Sequence, residues 1–288
     1  MAAVYFHDGT WYDRDPKIVG SGDHTLFLAS AIFDACRAID GLIPDLENHC
    51  RRLMESADAL GLASPYTADE VMELAVDGLK RLPNPCGEGI FVRPMMFARR
   101  GMGYGGVIPD PESTDFVFPI YEVPLPRFEG FSARFSSFCR PGRDQAPTTA
   151  KAAALYPNSA RALREANDSG FDNTIMPDPS GNVTEFAAAN IYIVRDGVAM
   201  TPIWNGTFLN GVTRRRVLAL LRDDGIETVE TTLTPDDVRA ADEIFSTGNY
   251  AKVQPVTRLE ERELAIGPVT KRARELYFEW VRGTERVV

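Results

Sequence analysis

Between Asn173 and Arg222 the chain reads Asn173-Thr-Ile-Met-Pro177, then Val183-Thr-Glu-Phe-Ala-Ala-Ala-Asn-Ile-Tyr192, then Leu209-Asn-Gly-Val-Thr-Arg214. The run 173–177 and the run 190–195 are short, apolar and bounded by turn residues, which predicts strands. At 211 a glycine turn runs into a helix predicted over 213–222, with Val217, Leu218, Leu220 and Leu221 on its apolar side. Working outward, a strand is expected at 131–139, a helix at 156–166, a helix with an acidic first turn at 235–240, a strand at 243–246 and a closing helix at 269–282. Upstream lie strands at 3–7 and 10–12 around the turn Asp8-Gly9, a helix at 46–60 and another at 68–82. Leu46, Cys50, Leu53, Ala57 and Leu60 recur at helical spacing, and Gly61 stops that helix. Strands follow at 89–97 and 115–121, while 26–39 fits either a helix or a buried strand. This alternation predicts an α/β or mixed fold. Much of the proline and glycine falls in 83–130, and 123–130 reads as a linker between a domain over 1–122 and one over 131–288.

The chain has 288 residues, enough for one or two domains and a core that needs no disulfide or metal staple. With 31 basic against 41 acidic residues its net charge is −10, and no basic stripe offsets that field, so nucleic acid is not an expected partner. The apolar stretch 26–33, eight residues with Ser30 inside it, is far short of the roughly 20 that cross a bilayer. The opening residues show no cationic start followed by an apolar run, so no secretory signal is read there. Cys36, Cys50, Cys86 and Cys139 are widely spaced and His7, His24 and His49 are scattered, which supports no metal site and suggests reduced thiols. These features predict a cytoplasmic protein.

Lysine is scarce: five lysines stand against 26 arginines. Only lysine offers an amine that turns nucleophilic in a shielded site. Lys17, Lys80 and Lys271 have polar surroundings. Lys151 is set in Ala146-Pro-Thr-Thr-Ala-Lys-Ala-Ala-Ala-Leu-Tyr156, where small neighbours leave room for a carbonyl ligand. The bland alternative is a lysine snorkelling from a helix start, and Lys252, with its apolar left flank, is the rival. The turn Leu209–Arg214 presents backbone N–H groups at a helix start, where a phosphate is favoured and Thr213 adds a hydroxyl; an ordinary N-cap would look the same. Ser246-Thr-Gly-Asn249 after a strand offers a glycine with polar neighbours, or a simple turn. Glu185 stands before small residues and a strand, an odd place for a solvated charge, and a buried carboxylate there needs a cationic or N–H partner.

In their order along the chain these stretches resemble the class IV, fold-type IV aminotransferases, above all the branched-chain amino acid aminotransferases. The matching stretches are Ala146–Lys151, Gly181–Tyr192, Leu209–Arg214, Ala241–Gly248 and Gly267–Arg272, with His49–Ala57 and Phe91–Pro94 upstream. The resemblance implies a smaller N-terminal α/β domain, a larger C-terminal pseudo-barrel domain and a homodimer. It implies pyridoxal 5′-phosphate as cofactor, held by the amine of Lys151, which also moves the proton between the substrate Cα and the cofactor C4′. By the same resemblance Glu185 meets the pyridine nitrogen and Arg52, Val212 and Thr213 hold the phosphate. Thr247, Gly248 and Asn249 would lie near that phosphate, and Tyr156 near the cofactor hydroxyl.

The implied substrate set is Leu28, Phe33, Phe91, Arg93, Met102, Gly103 and Tyr250. Here the pattern departs from the branched-chain enzymes, which carry tyrosines where this chain has Leu28 and Phe91. Phe91-Val-Arg93 keeps the arginine, and Gly101-Met-Gly103 keeps a turn that in relatives helps to bind the α-carboxylate. Thr247-Gly-Asn-Tyr250 replaces the usual Ser-Gly-Thr-Ala. The lost hydroxyls favour an apolar side chain, whereas Tyr250 reshapes the carboxylate subsite and leaves (R)-amines open as donors. The Tyr-Val-Glu signature of (R)-selective members and the Arg-x-His pair of D-amino acid aminotransferases are absent. Transamination of branched-chain L-amino acids with 2-oxoglutarate is the expected reaction, with (R)-amine or D-amino acid transamination and aminodeoxychorismate lysis as alternatives.

Overall fold

Val4 and Phe6 alternate with more exposed neighbours along Ala3–His7, the pattern of a strand with one buried face. In the computed structural model, which describes residues 2–87 and 89–287, this strand turns at Asp8-Gly9 into Thr10–Tyr12. Both turn residues have positive φ, as a two-residue hairpin loop requires. Ala3–His7 also pairs with the nine-residue strand Thr114–Glu122, which carries Ile90–Val92 and Met95–Ala98 along its other edge. Ile90–Val92 pairs on with Cys36–Ala38, and Met95–Ala98 with Ala31–Phe33, every pairing antiparallel. The expected single strand 89–97 is therefore split. Pro94 has no N–H for a ladder, so the chain steps there from one partner to another. Asp34 lies at the matching break opposite, and its N–H donates to the Pro94 carbonyl (3.0 Å). The segment 26–39 resolves into a short helix, His24–Leu28, and the two strands flanking Asp34.

The predicted helices 46–60 and 68–82 are Leu46–Ala59 and Ala68–Lys80. The second opens on a capping box formed by Thr67 and Glu70. The first buries His49, Cys50, Arg52, Leu53, Ser56 and Ala57 on one face. Burial beside Asp34 and Asp69 pushes the Cys50 thiol up to about 12, which makes it inert. None of the four cysteines is in a disulfide.

Two compact units divide the chain. The first comprises 1–125, 150–155 and 284–288, and the second 126–149 and 156–283. The change of unit at Leu125/Pro126 falls within the stretch 123–130, whereas the lysine stretch 150–155 groups with the first unit rather than with 131–288.

In the second unit, among the described residues, six strands close into a ring. Val183–Phe186 pairs with Asn173–Pro177, that strand with Phe131–Phe135, then follow Lys252–Leu259, Glu243–Gly248 and Asn190–Arg195. One residue pair, Glu185 with Asn190, joins the last strand back to the first. Ala133, Ile175, Phe186, Ile191, Ile193, Ile244 and Val256 fill the ring, so the alternating residues Asn190, Tyr192, Phe245 and Thr247 face outward. Val198–Pro202 and Thr228–Thr231 extend the sheet beyond the ring. The expected strand 131–139 ends at Phe135 because the Ser136 hydroxyl accepts the Phe138 N–H and turns the chain. Helices Tyr156–Asp168, Val212–Asp223 and Pro268–Arg282 lie on the outer surface. The last starts on Glu243, whose buried carboxylate accepts the N–H groups of Val269 (3.1 Å) and Thr270 (2.7 Å). Among the described residues no helix is long and apolar enough to cross a membrane.

Candidate active site

Lys151 is stitched into the first unit on both sides. Its N–H donates to Ser56 Oγ (3.0 Å), its carbonyl accepts the Phe33 N–H (3.1 Å), and Ala152 bridges Ile32. Ala150 and Ala152 are buried, which explains the small residues: nothing larger fits against the strand and helix they touch. With the backbone held, the amine moves only through its own stem. Nζ lies 4.6 Å from the centre of the Phe33 ring, whose face attracts a cation and keeps water from one side of the amine.

Ser56 also donates to the Arg52 carbonyl one helical turn earlier (2.8 Å). Arg52 grips both oxygens of Asp34, Nε at 2.7 Å and Nη2 at 2.9 Å, and His49 Nδ1 lies 2.7 Å from Asp34 Oδ1. This two-pronged grip fixes the plane of the guanidinium expected to meet a phosphate. Asp34 has no exposed surface. Burial pushes its carboxyl up, but the charges and hydrogen bonds of Arg52 and His49 outweigh that and hold it well below the usual carboxylate range. No motif marks Asp34, yet an acid inside the apolar run 31–36 is the same oddity as Glu185 before its run of small residues. Asp34→Asn leaves the buried Arg52 guanidinium without its counter-charge, and about 3–5 kcal/mol of stability should be lost at pH 7. A carboxyl held low when folded contributes above its unfolded value and ceases to as pH falls, so the deficit should shrink below about pH 4. Urea unfolding of both proteins at pH 7 and pH 3.5 checks this; an equal deficit at both would refute it.

Phe91 and Arg93 converge on Tyr121, another residue the sequence did not mark. The Phe91 and Tyr121 rings stack at 5.9 Å, and the Arg93 guanidinium lies 5.0 Å from the Tyr121 centroid. Arg93 Nε is buried without a hydrogen-bond partner, a donor suited to an anion. Leu28 and Met102 are exposed and Gly103 holds a left-handed turn. His24, in the helix of Leu28, places its Nε2 3.1 Å from the Val107 carbonyl, four residues beyond Gly103. Among the described residues, no hydrogen bond or ring contact ties Leu28, Met102 or Gly103 to Lys151.

In the second unit Glu185 is buried, as its context required, and its cationic partner is Arg140. Arg140 Nε lies 3.2 Å from Oε1, an ion pair by distance whose angle falls short of a hydrogen bond. Asn190 Nδ2 donates to Oε2 (3.3 Å) and to the Leu209 carbonyl (2.9 Å). The sequence demanded such a partner but could not choose among 26 arginines. Asn190 pairs in register with Thr247 on the next strand, so Glu185, Asn190 and Thr247 form a row with steps of about 5 Å. Thr247 Oγ1 is buried and has no hydrogen-bond partner.

Val212 and Thr213 open the helix Val212–Asp223, and its N-cap, Gly211, supplies no side-chain bond to the first N–H groups. A buried helix start without a capping side chain and an orphaned buried hydroxyl are what an anion would complete. A Cβ on Gly211 would stand 2.1 Å from Asn190 Oδ1, so the bare glycine lets Asn190 reach Glu185. Gly211→Ala should cost about 1–3 kcal/mol and lower the melting temperature; an unchanged melting curve would show that Asn190 is not held. Arg214 pins the same turn from within through Asn210 Oδ1 (3.1 Å), the Pro202 carbonyl (2.8 Å) and Glu230 (2.8 Å).

Gly248 ends its strand beside Ala189, and Asn249 follows with its Oδ1 accepting from Lys252 Nζ (2.8 Å). Tyr250 is 62% exposed and borders a cavity of about 310 Å³ that also meets Ala188, Ala189, Ser246 and Gln254. Tyr156 stands half-buried at the first residue of its helix.

Residues 31–259 match the family model for amino-transferase class IV. The branched-chain-amino-acid aminotransferase of Pseudomonas aeruginosa is 34% identical, with 97% of this chain and 93% of that one covered. An aminotransferase from Brucella abortus, solved bound to the cofactor PLP, superposes with a TM-score of 0.95 at 44% identity, covering 98% of this chain and 100% of that one. The branched-chain amino acid aminotransferase of Escherichia coli superposes with a TM-score of 0.88 at 28% identity, covering 97% and 94%. The agreement extends over both units and includes the ring expected as a pseudo-barrel. The chain belongs to the class IV aminotransferases.

Proposed function

We propose that the protein transfers the amino group of a branched-chain L-amino acid to 2-oxoglutarate, with pyridoxal 5′-phosphate as cofactor. The buried Glu185 carboxylate, held by Arg140 and Asn190, carries this reading, because a fixed negative charge is what keeps a pyridine nitrogen protonated. The residues present fit the group. Glu185 would meet the ring nitrogen, and the start of helix Val212–Asp223 and the Thr247 hydroxyl would meet the phosphate together with Arg52. Lys151 would bind the aldehyde carbon, and Tyr156 would approach the ring hydroxyl. When bound, the cofactor supplies a conjugated ring that takes up the electron pair left at the substrate Cα.

Lys151 Nζ would serve as the base that takes the proton from the substrate Cα and holds it for return. Asn190 and Arg140 would hold the Glu185 carboxylate aimed during that transfer. Arg93, with its spare Nε–H, is the group we assign to the α-carboxylate. Phe91 presents an apolar face in place of a hydroxyl, which supports leucine or valine as donor. We place the enzyme in the cytoplasm, and we infer a homodimer from the exposed apolar side chains Phe27, Leu28, Met102 and Tyr104, which a second copy would cover.

Visible absorbance tests the assignment. A yellow protein that bleaches with L-leucine supports it. Bleaching by (R)-1-phenylethylamine and not by L-leucine would make it an amine transaminase. Pyruvate release from aminodeoxychorismate without any keto acid acceptor would make it a lyase. A protein that stays colourless with the cofactor would overturn the reading.

A further inference from the structure

We infer that Lys252 is a positioning residue, which sets Asn249 to donate to a ligand anion and places a positive charge directly behind it. The inference rests on the proposed function and concerns a residue outside the set that would touch the cofactor. Lys252 begins the strand Lys252–Leu259 and pairs with Gly248 across a loop of three residues, Asn249, Tyr250 and Ala251. Its φ is +63°, in the left-handed region that such loops normally assign to glycine. It is also 1% exposed. A buried cation on strained backbone is a costly way to close a hairpin that glycine would close more easily.

The closing helix supports this arrangement at two points. The Lys252 ammonium lies 5.6 Å from the centre of the Tyr277 ring, and Arg274 Nη1 donates to the carbonyls on either side of Lys252, those of Ala251 (3.2 Å) and Val253 (2.8 Å). Lys252 Nζ donates to Asn249 Oδ1 at 2.8 Å. An ammonium can only donate, so Asn249 turns its oxygen to the lysine and its NH₂ group away. Thr247 Oγ1, two residues earlier, is buried and lacks a partner. The turn is thus prepared to give hydrogen bonds to a phosphate monoester or a carboxylate.

The test compares the holoenzymes of the wild type, Lys252→Met, Lys252→Gly and Lys252→Arg. Cofactor dissociation reads the phosphate, and KM for L-leucine against kcat reads the carboxylate. Lys252→Met should worsen one of the two by about tenfold or more, the worth of a charge-assisted hydrogen bond. Lys252→Gly, which relieves the backbone, should do the same, and Lys252→Arg should stay near the wild type. Unchanged dissociation and KM in both the Met and the Gly variants would overturn the inference, as would a Gly variant equal to the wild type. A wild-type chain that takes up no cofactor would remove the proposed function, and this inference with it.

Discussion

Lys151→Ala is expected to reduce kcat with L-leucine by roughly 10²–10⁴-fold or more, the range for loss of a positioned base. The variant should still fold, because the bonds that seat this position use its backbone N–H and carbonyl, which alanine keeps. Losing the ammonium removes the contact with Phe33 but leaves those backbone bonds in place. Its melting temperature should therefore stay close to that of the wild type. Reduction with borohydride should fix the cofactor covalently to the wild type at Lys151 and leave none on the variant. Cofactor fixed in the variant at Lys252 would transfer the catalytic role to that rival.

Glu185→Gln is expected to act on activity and stability together. Removing the fixed charge should lower kcat by roughly 10²–10³-fold, as loss of a preorganised electrostatic partner does elsewhere. It also leaves Arg140 buried without its counter-charge, a loss of about 3 kcal/mol or more. Adding Arg140→Met separates the two effects. The double variant should regain much of the stability and none of the activity. Recovery of both would make the pair purely structural, and loss of neither would place the ring nitrogen elsewhere.

The helices were the most legible part of the fold, because Leu46–Ala59, Val212–Asp223 and Pro268–Arg282 each carry an apolar stripe at helical spacing. Two of the ring strands, Val183–Phe186 and Lys252–Leu259, were not legible. Lys252–Leu259 holds Pro255 at its centre, which argues locally against a strand, and only pairing on both sides overrides that. The split at Pro94 was equally hidden, since it depends on which distant strand each half meets. At the site, single residues with unusual surroundings stood out: Lys151 among alanines and Glu185 before a run of small residues. Their partners did not. Asp34, Ser56, Tyr121 and Arg140 matter through contacts between segments far apart in sequence, which spacing along one segment cannot reveal.

The ring in the second unit is shut by a single residue pair, and one member of that pair is Glu185. The acid is thereby also the latch, and its orientation depends on chain length as much as on its own identity. Side chains alternate between the two faces of a strand, so an insertion or deletion of one residue in Ala187–Ala189 would exchange the outward and inward sets beyond it. Asn190 would then point into the apolar filling and a neighbouring isoleucine would take its place beside the carboxylate. Indels in that three-residue turn should be the least forgiven changes in the chain, more damaging than most substitutions at residues that touch a ligand.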